Sequence, residues 1–154
     1  MSSAAAISGR RKLSAGEIEI IIAAHERLLS GRPGGRRAAL MFVDLSGADL
    51  SGRNLSDADL SGSIFDGSRL IGTRLERAIL FGCDFRNADL RRAILVRADM
   101  RGACLRAANL SQADLTQADF RIGQIAIPHP SKGLSSLRHE NRVGDADRAN
   151  FSGA

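Results

Sequence analysis

Residues 48–67 read ADLSGRNLSDADLSGSIFDG, twenty residues that nearly repeat every five. A Leu or Phe stands at every fifth position, with a small residue usually two places before it. The pattern runs outward in both directions without slipping. Its large apolar centres are Leu40, Leu45, Leu50, Leu55, Leu60, Phe65, Leu70, Leu75, Leu80, Phe85, Leu90, Leu95, Met100, Leu105, Leu110, Leu115 and Phe120. Two places before the centres the residues are Ala, Ser, Thr or Cys, except Val43 and Arg53. A helix of this length needs apolar residues at a 3.6-residue period and a plain strand needs a period of two. Five fits neither. It implies two inward positions separated by one outward position, then a change of direction. The outward residue is most often Asp or Asn, and Ser or Gly commonly follows the centre, which suits a tight corner. Units this short cannot bury a face alone and must stack.

The runs ADLSGRNLSDADL, NADLRRA and AANLSQADLTQADF resemble the pentapeptide-repeat family, over residues 38–122. The resemblance implies an all-β solenoid, a right-handed quadrilateral β-helix of about four coils in which residues twenty apart stack. It then implies inward ladders such as Leu45, Phe65, Phe85 and Leu105. Arg53 breaks the small-residue rule and is expected only where the interior is open to solvent or covered by other structure.

The ends are read separately. Residues 1–13 are expected to form a disordered basic tail. Residues 14–37 hold a capping helix and a lead-in to the repeats. Ser14 and Glu17 form a capping-box signature, and Ile18, Ile21, Ile22, His25, Leu28 and Leu29 share a stripe at helical spacing. Gly31 and Pro33 mark the stop, so the helix is expected over about 14–30. His25 on the stripe is a packing or capping residue. Residues 123–154 read as a loop or linker and the start of a second repeat run. Ala149, Asn150 and Phe151 fit the repeat triplet but lie out of phase with Phe120. Either this piece docks back on the last coil, or the chain is a fragment of a longer repeat protein.

Composition limits the chemistry. Trp and Tyr are absent, and the six Phe are the only aromatics. The net charge of +5 is carried mainly by residues 1–37, whereas residues 38–122 hold eleven basic and eleven acidic residues. No nucleophile elbow, phosphate loop, dinucleotide fingerprint or zinc spacing occurs. His129 and His139 have no partner at ligand spacing, so neither a metal nor a cofactor is implied. Two cysteines do not make a disulfide scaffold. Cys83 takes an inward slot and Cys104 an outward one. No apolar run suits a membrane span, and a cytoplasmic location is expected.

Function is therefore sought on the surface, and no enzyme is expected. Two features stand out. Outward slots hold Ile79, Phe81, Ile94 and Val96, a candidate apolar patch around one corner. Arg77, Arg86, Arg92, Arg97 and Arg106 form a candidate basic band. Residues 67–109 hold nine Arg against four acids. The main reading is a non-catalytic interaction or scaffold module that binds a protein partner, or itself as a dimer, through an apolar corner or an end of the rod. The alternatives are contact of the arginine band with an anion or nucleic acid, and DNA mimicry. The resemblance implies the latter, because some pentapeptide-repeat proteins act on DNA gyrase in that way. Mimicry needs an acidic rod, and residues 38–122 sum to zero.

Overall fold

The computed structural model describes residues 9–129, 133–142 and 144–154. Residues 1–8 of the expected tail and residues 130–132 and 143 of the expected linker lie outside it. Its regular elements are β1 (Arg11–Lys12), α1 (Ala15–Leu29), β2 (Val43–Asp44), β3 (Gly123–His129) and β4 (Gly133–Arg142). They make two separate two-stranded sheets, β1 parallel to β2 and β3 antiparallel to β4.

This corrects the expected fold class. The described residues do not form an all-β solenoid or a right-handed quadrilateral β-helix, because neither sheet closes or curls and the repeats contain only the two-residue strand β2. The reason is local. Each centre from Leu45 to Leu115 starts a turn in which the N–H three residues on donates back to the centre's carbonyl, as Ala48 N–H does to Leu45 O at 3.1 Å. The second turn residue has positive φ, as at Gly47 (71°) and Arg97 (57°). That is the type II pattern, and it occupies two residues of every five. What remains is one residue per unit in single-residue parallel bridges, too few for a strand.

The bridges follow one register. Asp44 pairs with Ile64, Ile64 with Asp84 and Asp84 with Cys104, and three other columns run beside this one at the same twenty-residue offset. The chain therefore lies over itself in tiers. The centres from Leu40 to Leu110 are buried between the columns. Phe65 and Phe85 stack with ring centroids 4.8 Å apart and planes within 13°. The small residues before the centres from Ala58 to Ala113 are buried too, and their polar members are satisfied. Ser63 Oγ donates to Leu40 O at 2.5 Å, Thr73 Oγ1 to Leu50 O at 2.8 Å and Cys83 Sγ to Leu60 O at 3.0 Å.

The first tier is covered from below. β1, which falls within the stretch expected as a disordered tail, instead pairs with β2, so order begins before residue 13. Leu13 follows it and is buried. α1 is capped by Ser14, whose hydroxyl accepts from Glu17 N–H while the Glu17 carboxylate accepts from Ser14 N–H. Its Ile18, Ile22 and His25 are buried. His25 joins cap to repeats. Ala38 N–H donates to Nδ1 at 3.0 Å, which leaves the proton on Nε2 to donate to Ser56 O at 2.7 Å. Arg53 has its explanation here, since its guanidinium bonds to Glu26 at 2.9 and 3.0 Å and to Glu19, both on α1.

The last tier is interrupted. After Ile122 the chain leaves as the β3–β4 hairpin and returns at Gly144. Cys104 then bridges to Asp145 and Asn109 to Asn150. The out-of-phase triplet at 149–151 thus docks on the stack, in register with Ala108, Asn109 and Leu110.

Candidate interaction surface

The outward Asp and Asn have a local task that the sequence reading did not assign. Each side chain accepts from the backbone N–H two residues on, as Asp44 does from Ser46 at 2.8 Å and Asn109 from Ser111 at 3.1 Å. These Asx turns brace the corners. Where Arg sits two residues on, it forks back onto the same carboxylate. Arg86 does so on Asp84, Arg91 on Asp89, Arg101 on Asp99 and Arg121 on Asp119, with shortest contacts of 2.6–2.8 Å. The acids on the walls are thus engaged by their own repeats.

The arginine band behaves the same way. Arg77 holds both oxygens of Asp57 at 2.9 Å, Arg92 donates to Gln112 at 3.0 Å and Arg97 to Gln117 at 2.7 Å. Arg106 reaches Asp145 at 3.3 Å. Register places Arg77 below Arg97 and Arg86 below Arg106, with Arg92 in a third column. The five form two vertical pairs and a single residue, not one cluster.

These contacts favour the ionised carboxyls. The Arg11 guanidinium and the Ser14 N–H hold Glu17 down to about 2, and Arg121 with its own N–H holds Asp119 down to about 2. Glu26 is lowered chiefly by Arg53, Asp57 by Arg77 and Asp89 by Arg91. A carboxyl whose value is lower in the folded state stabilises above its unfolded value and loses that contribution as it protonates. Stability is therefore expected to fall as pH drops from about 4, the unfolded carboxyl value, toward about 2. Denaturant midpoints measured across that window check this.

The apolar candidates are less open than expected. Ile79 and Phe81 flank Leu80, Ile94 and Val96 flank Leu95, and all four are half-buried. Phe81 is covered from two sides. The Arg101 guanidinium lies 5.1 Å from its ring centroid, and Gly123 stands so close that a Cβ there would overlap the ring. Phe81 thus seats the root of the hairpin. Ile64, in the outward slot between Ser63 and Phe65, is buried between Asp44 and Asp84 in its column.

Open apolar surface lies at both ends, with Ile20, Leu28, Leu29, Met41 and Phe42 on the cap side and a second group at the last tier. Phe120 is 44% exposed, Ile122 66% and Phe151 40%, and Leu115 is half-buried. Ala146 stands where a large centre would cover Leu105. A shallow pocket of about 330 Å³ results, lined by Leu105, Phe120, Ala146 and Phe151. The sequence signal for it is the small Ala146 in a centre slot.

The cysteines differ in the same structural terms. Cys83 is buried, and burial pushes its thiol up to about 12. Cys104 is half-buried and also raised, chiefly by burial. Titration of the native protein with an aromatic disulfide at pH 8 is expected to modify Cys104 slowly and Cys83 only after unfolding. Among the described residues no group of His, Cys, Asp or Glu is placed to hold a metal ion. The His129 and His139 side chains lie outside the description. No helix among the described residues is long and apolar enough to cross a membrane.

The family pattern described as pentapeptide repeats (8 copies) matches residues 44–82 and 83–121, just over half of the chain. The chain is a pentapeptide-repeat protein. In line with that membership it is non-catalytic. A crystal structure of alr5209, a pentapeptide-repeat protein from Nostoc PCC 7120, is 34% identical over 71% of this chain and 77% of its own, with a TM-score of 0.51. Trypsin-treated QnrB1, a plasmid-mediated fluoroquinolone resistance protein, is 22% identical over 72% of this chain and 49% of its own, with a TM-score of 0.56. Full-length QnrB1 is 20% identical, over 71% of this chain and 56% of its own, with a TM-score of 0.50. This pentapeptide-repeat chain thus spans about half the length of QnrB1. No curated protein matches its sequence.

Proposed function

We propose that this pentapeptide-repeat chain is a cytoplasmic protein-docking module, and that the last tier is its main docking face. The observation behind this reading is the exposed pair Phe120 and Phe151 around the gap over Leu105, with Ile122 exposed two residues beyond Phe120. Exposed apolar surface gathered in one place marks contact sites, and aromatic side chains are enriched in the energetic centres of interfaces. The walls offer a partner less, because their charges are engaged within the repeats. The patch around Ile79, Ile94 and Val96 is a secondary contact, with Phe81 holding the hairpin.

The test is photo-crosslinking in cells, with benzoylphenylalanine in place of Phe151 or, as control, Ser111. Protein adducts at 151 that are absent at 111 are expected. Adducts at neither position, or adducts to nucleic acid alone, would overturn the reading.

A second reading is modulation of a DNA-handling enzyme such as gyrase by DNA mimicry. Its support is the likeness to QnrB1, a fluoroquinolone resistance protein, at a level that speaks to fold. The columns also carry repeated outward acids, such as Asp84 and Asp145 on either side of Cys104. Against it stand the arginines that fork onto those acids. Inhibition of gyrase supercoiling by the chain, lost when Asp59, Asp99 and Asp114 become Asn, would favour this reading. Contact of the arginine band with nucleic acid would instead show a steep loss of binding with salt.

A further inference from the structure

The cap end carries a second open face. α1 turns Ile18, Ile22 and His25 inward, and Ile20 projects on the opposite side, 73% exposed. Beside Ile20 runs a shallow groove of about 410 Å³. Ile20, Ile21, Ala24 and Ala39 give it an apolar lining, and Arg36 and Arg37 border it. Arg27 stands two helical turns along from Ile20 on the same face of α1, and Arg32 follows the end of the helix.

The charge on this flank is not balanced from within. Arg27, Arg32, Arg36 and Arg37 are exposed, and none of them makes an ion pair among the described residues. Arg32 donates to Ser30 Oγ at 3.1 Å, and Arg37 to the backbone carbonyl of Asp57 at 2.7 Å. The acids bordering the flank are Asp57 and Asp59. Arg77 holds the Asp57 carboxylate at 2.9 Å, and Asp59, bridged to Ala39, accepts from Ser61. With Arg77 included, five arginines stand against these two carboxylates. Glu19 and Glu26 do not reduce that excess, since both turn to Arg53 on the other flank of α1. The C-terminal dipole of α1 offsets only about half a charge.

We infer that this groove takes an acidic segment of a partner protein, in which carboxylates flank a bulky apolar side chain. The apolar side chain seats against Ile20, Ile21 and Ala24, and the carboxylates meet Arg27, Arg36 and Arg37. The unopposed arginines select an anionic partner and steer its approach. The apolar lining selects among anions. A bilayer surface is flat on this scale and does not fill a concave site. The groove also lacks an aromatic side chain on which a nucleic-acid base would stack. An acidic protein segment suits both the charge and the shape. The groove lies at the opposite end from the last tier, so its occupancy is independent of the docking role proposed there.

Selection of displayed random peptides on the immobilised chain tests this without assuming a sequence. The selected peptides are expected to carry an excess of Asp and Glu around a large apolar residue. Binding of the strongest of them, followed by fluorescence anisotropy, is expected to weaken with salt because the arginines are exposed. Ile20→Glu is expected to weaken it by about tenfold or more, and so is the double variant Arg27→Gln with Arg36→Gln. Phe151→Glu is expected to leave it unchanged. Circular dichroism checks the fold of each variant, and Ile20→Ser replaces Ile20→Glu if the latter fails to fold.

A selection that enriches nothing, or that enriches peptides without an acidic excess, overturns the inference. So does an acidic peptide whose binding both base variants leave intact. Phosphatidylglycerol vesicles and an oligothymidine are measured alongside. Binding of either that depends on Ile20 and Arg36, with no peptide selected, would assign the face to lipid or nucleic acid instead. Peptide binding lost only with Phe151→Glu would move the site to the last tier, leaving the docking role there and removing this one.

Discussion

Phe85→Ala is expected to lower the unfolding free energy by about 3–5 kcal/mol, the range for removing a buried aromatic side chain from a packed core. Phe85 is fully buried, and its ring lies flat on Phe65 one tier below. The stack has little freedom to close the space left behind. Phe85 N–H donates to Cys104 O at 2.7 Å, and Phe65 N–H to Asp84 O at 2.6 Å, so the backbone above and below is pinned at tier spacing. Phe85→Leu keeps most of the volume and is expected to cost under half as much. Urea unfolding of the three proteins, followed by circular dichroism, measures both steps. Equal loss for Ala and Leu would mean that ring stacking, not filled volume, holds the middle tiers.

His25→Ala is expected to cost about 2–6 kcal/mol by a different route. The side chain is fully buried, and it supplies the acceptor for Ala38 N–H and the donor for Ser56 O. Removing it leaves two backbone groups without their partner, each at about 1–3 kcal/mol when buried. The loss is expected to concentrate at one end. Amide exchange should speed up first in α1 and around Ala38, with the protection of Leu80 and Leu95 little changed, because each tier contacts only its neighbours. His25→Gln offers one acceptor and one donor on a flexible stem and is expected to recover part of the loss. Uniform loss of protection along the chain would show that cap and repeats unfold as one unit.

The residues that locate the core could be read directly. A Leu or Phe every fifth place, with Ala before it, leaves one interior able to bury them all, and the Ser14–Glu17 pair marks the start of α1. The fold class was misjudged because the period tells where side chains go but not how much of each unit is strand. Type II turns take two residues in five, so bridges form where strands were expected. Other misses have long-range causes. Arg53 was expected where other structure covers it, but that Glu19 and Glu26 of the cap supply the cover could not be read from local spacing. Phe81 looked like exposed apolar surface until Gly123 met its ring. Of the candidate surfaces, the arginine band was visible as charge, but its pairing with Asp57, Gln112 and Gln117 depends on register across tiers. The last-tier face was hidden by the phase slip before Ala146, which only the docking of 145–154 resolves.

The slip itself has a practical meaning. β3 and β4 pair Gly123 with Arg142, so the excursion ends beside where it began, and antiparallel partners sit only about 5 Å apart. The columns do not register how much chain passes between those two points. The corner after Ile122 is therefore a splice point, where one hairpin can be exchanged for another, or for a foreign peptide with closely spaced ends, while Asp145 still finds Cys104. A strict five-residue count would read such a graft as the end of the repeats, although the chain goes on to build on the same tier.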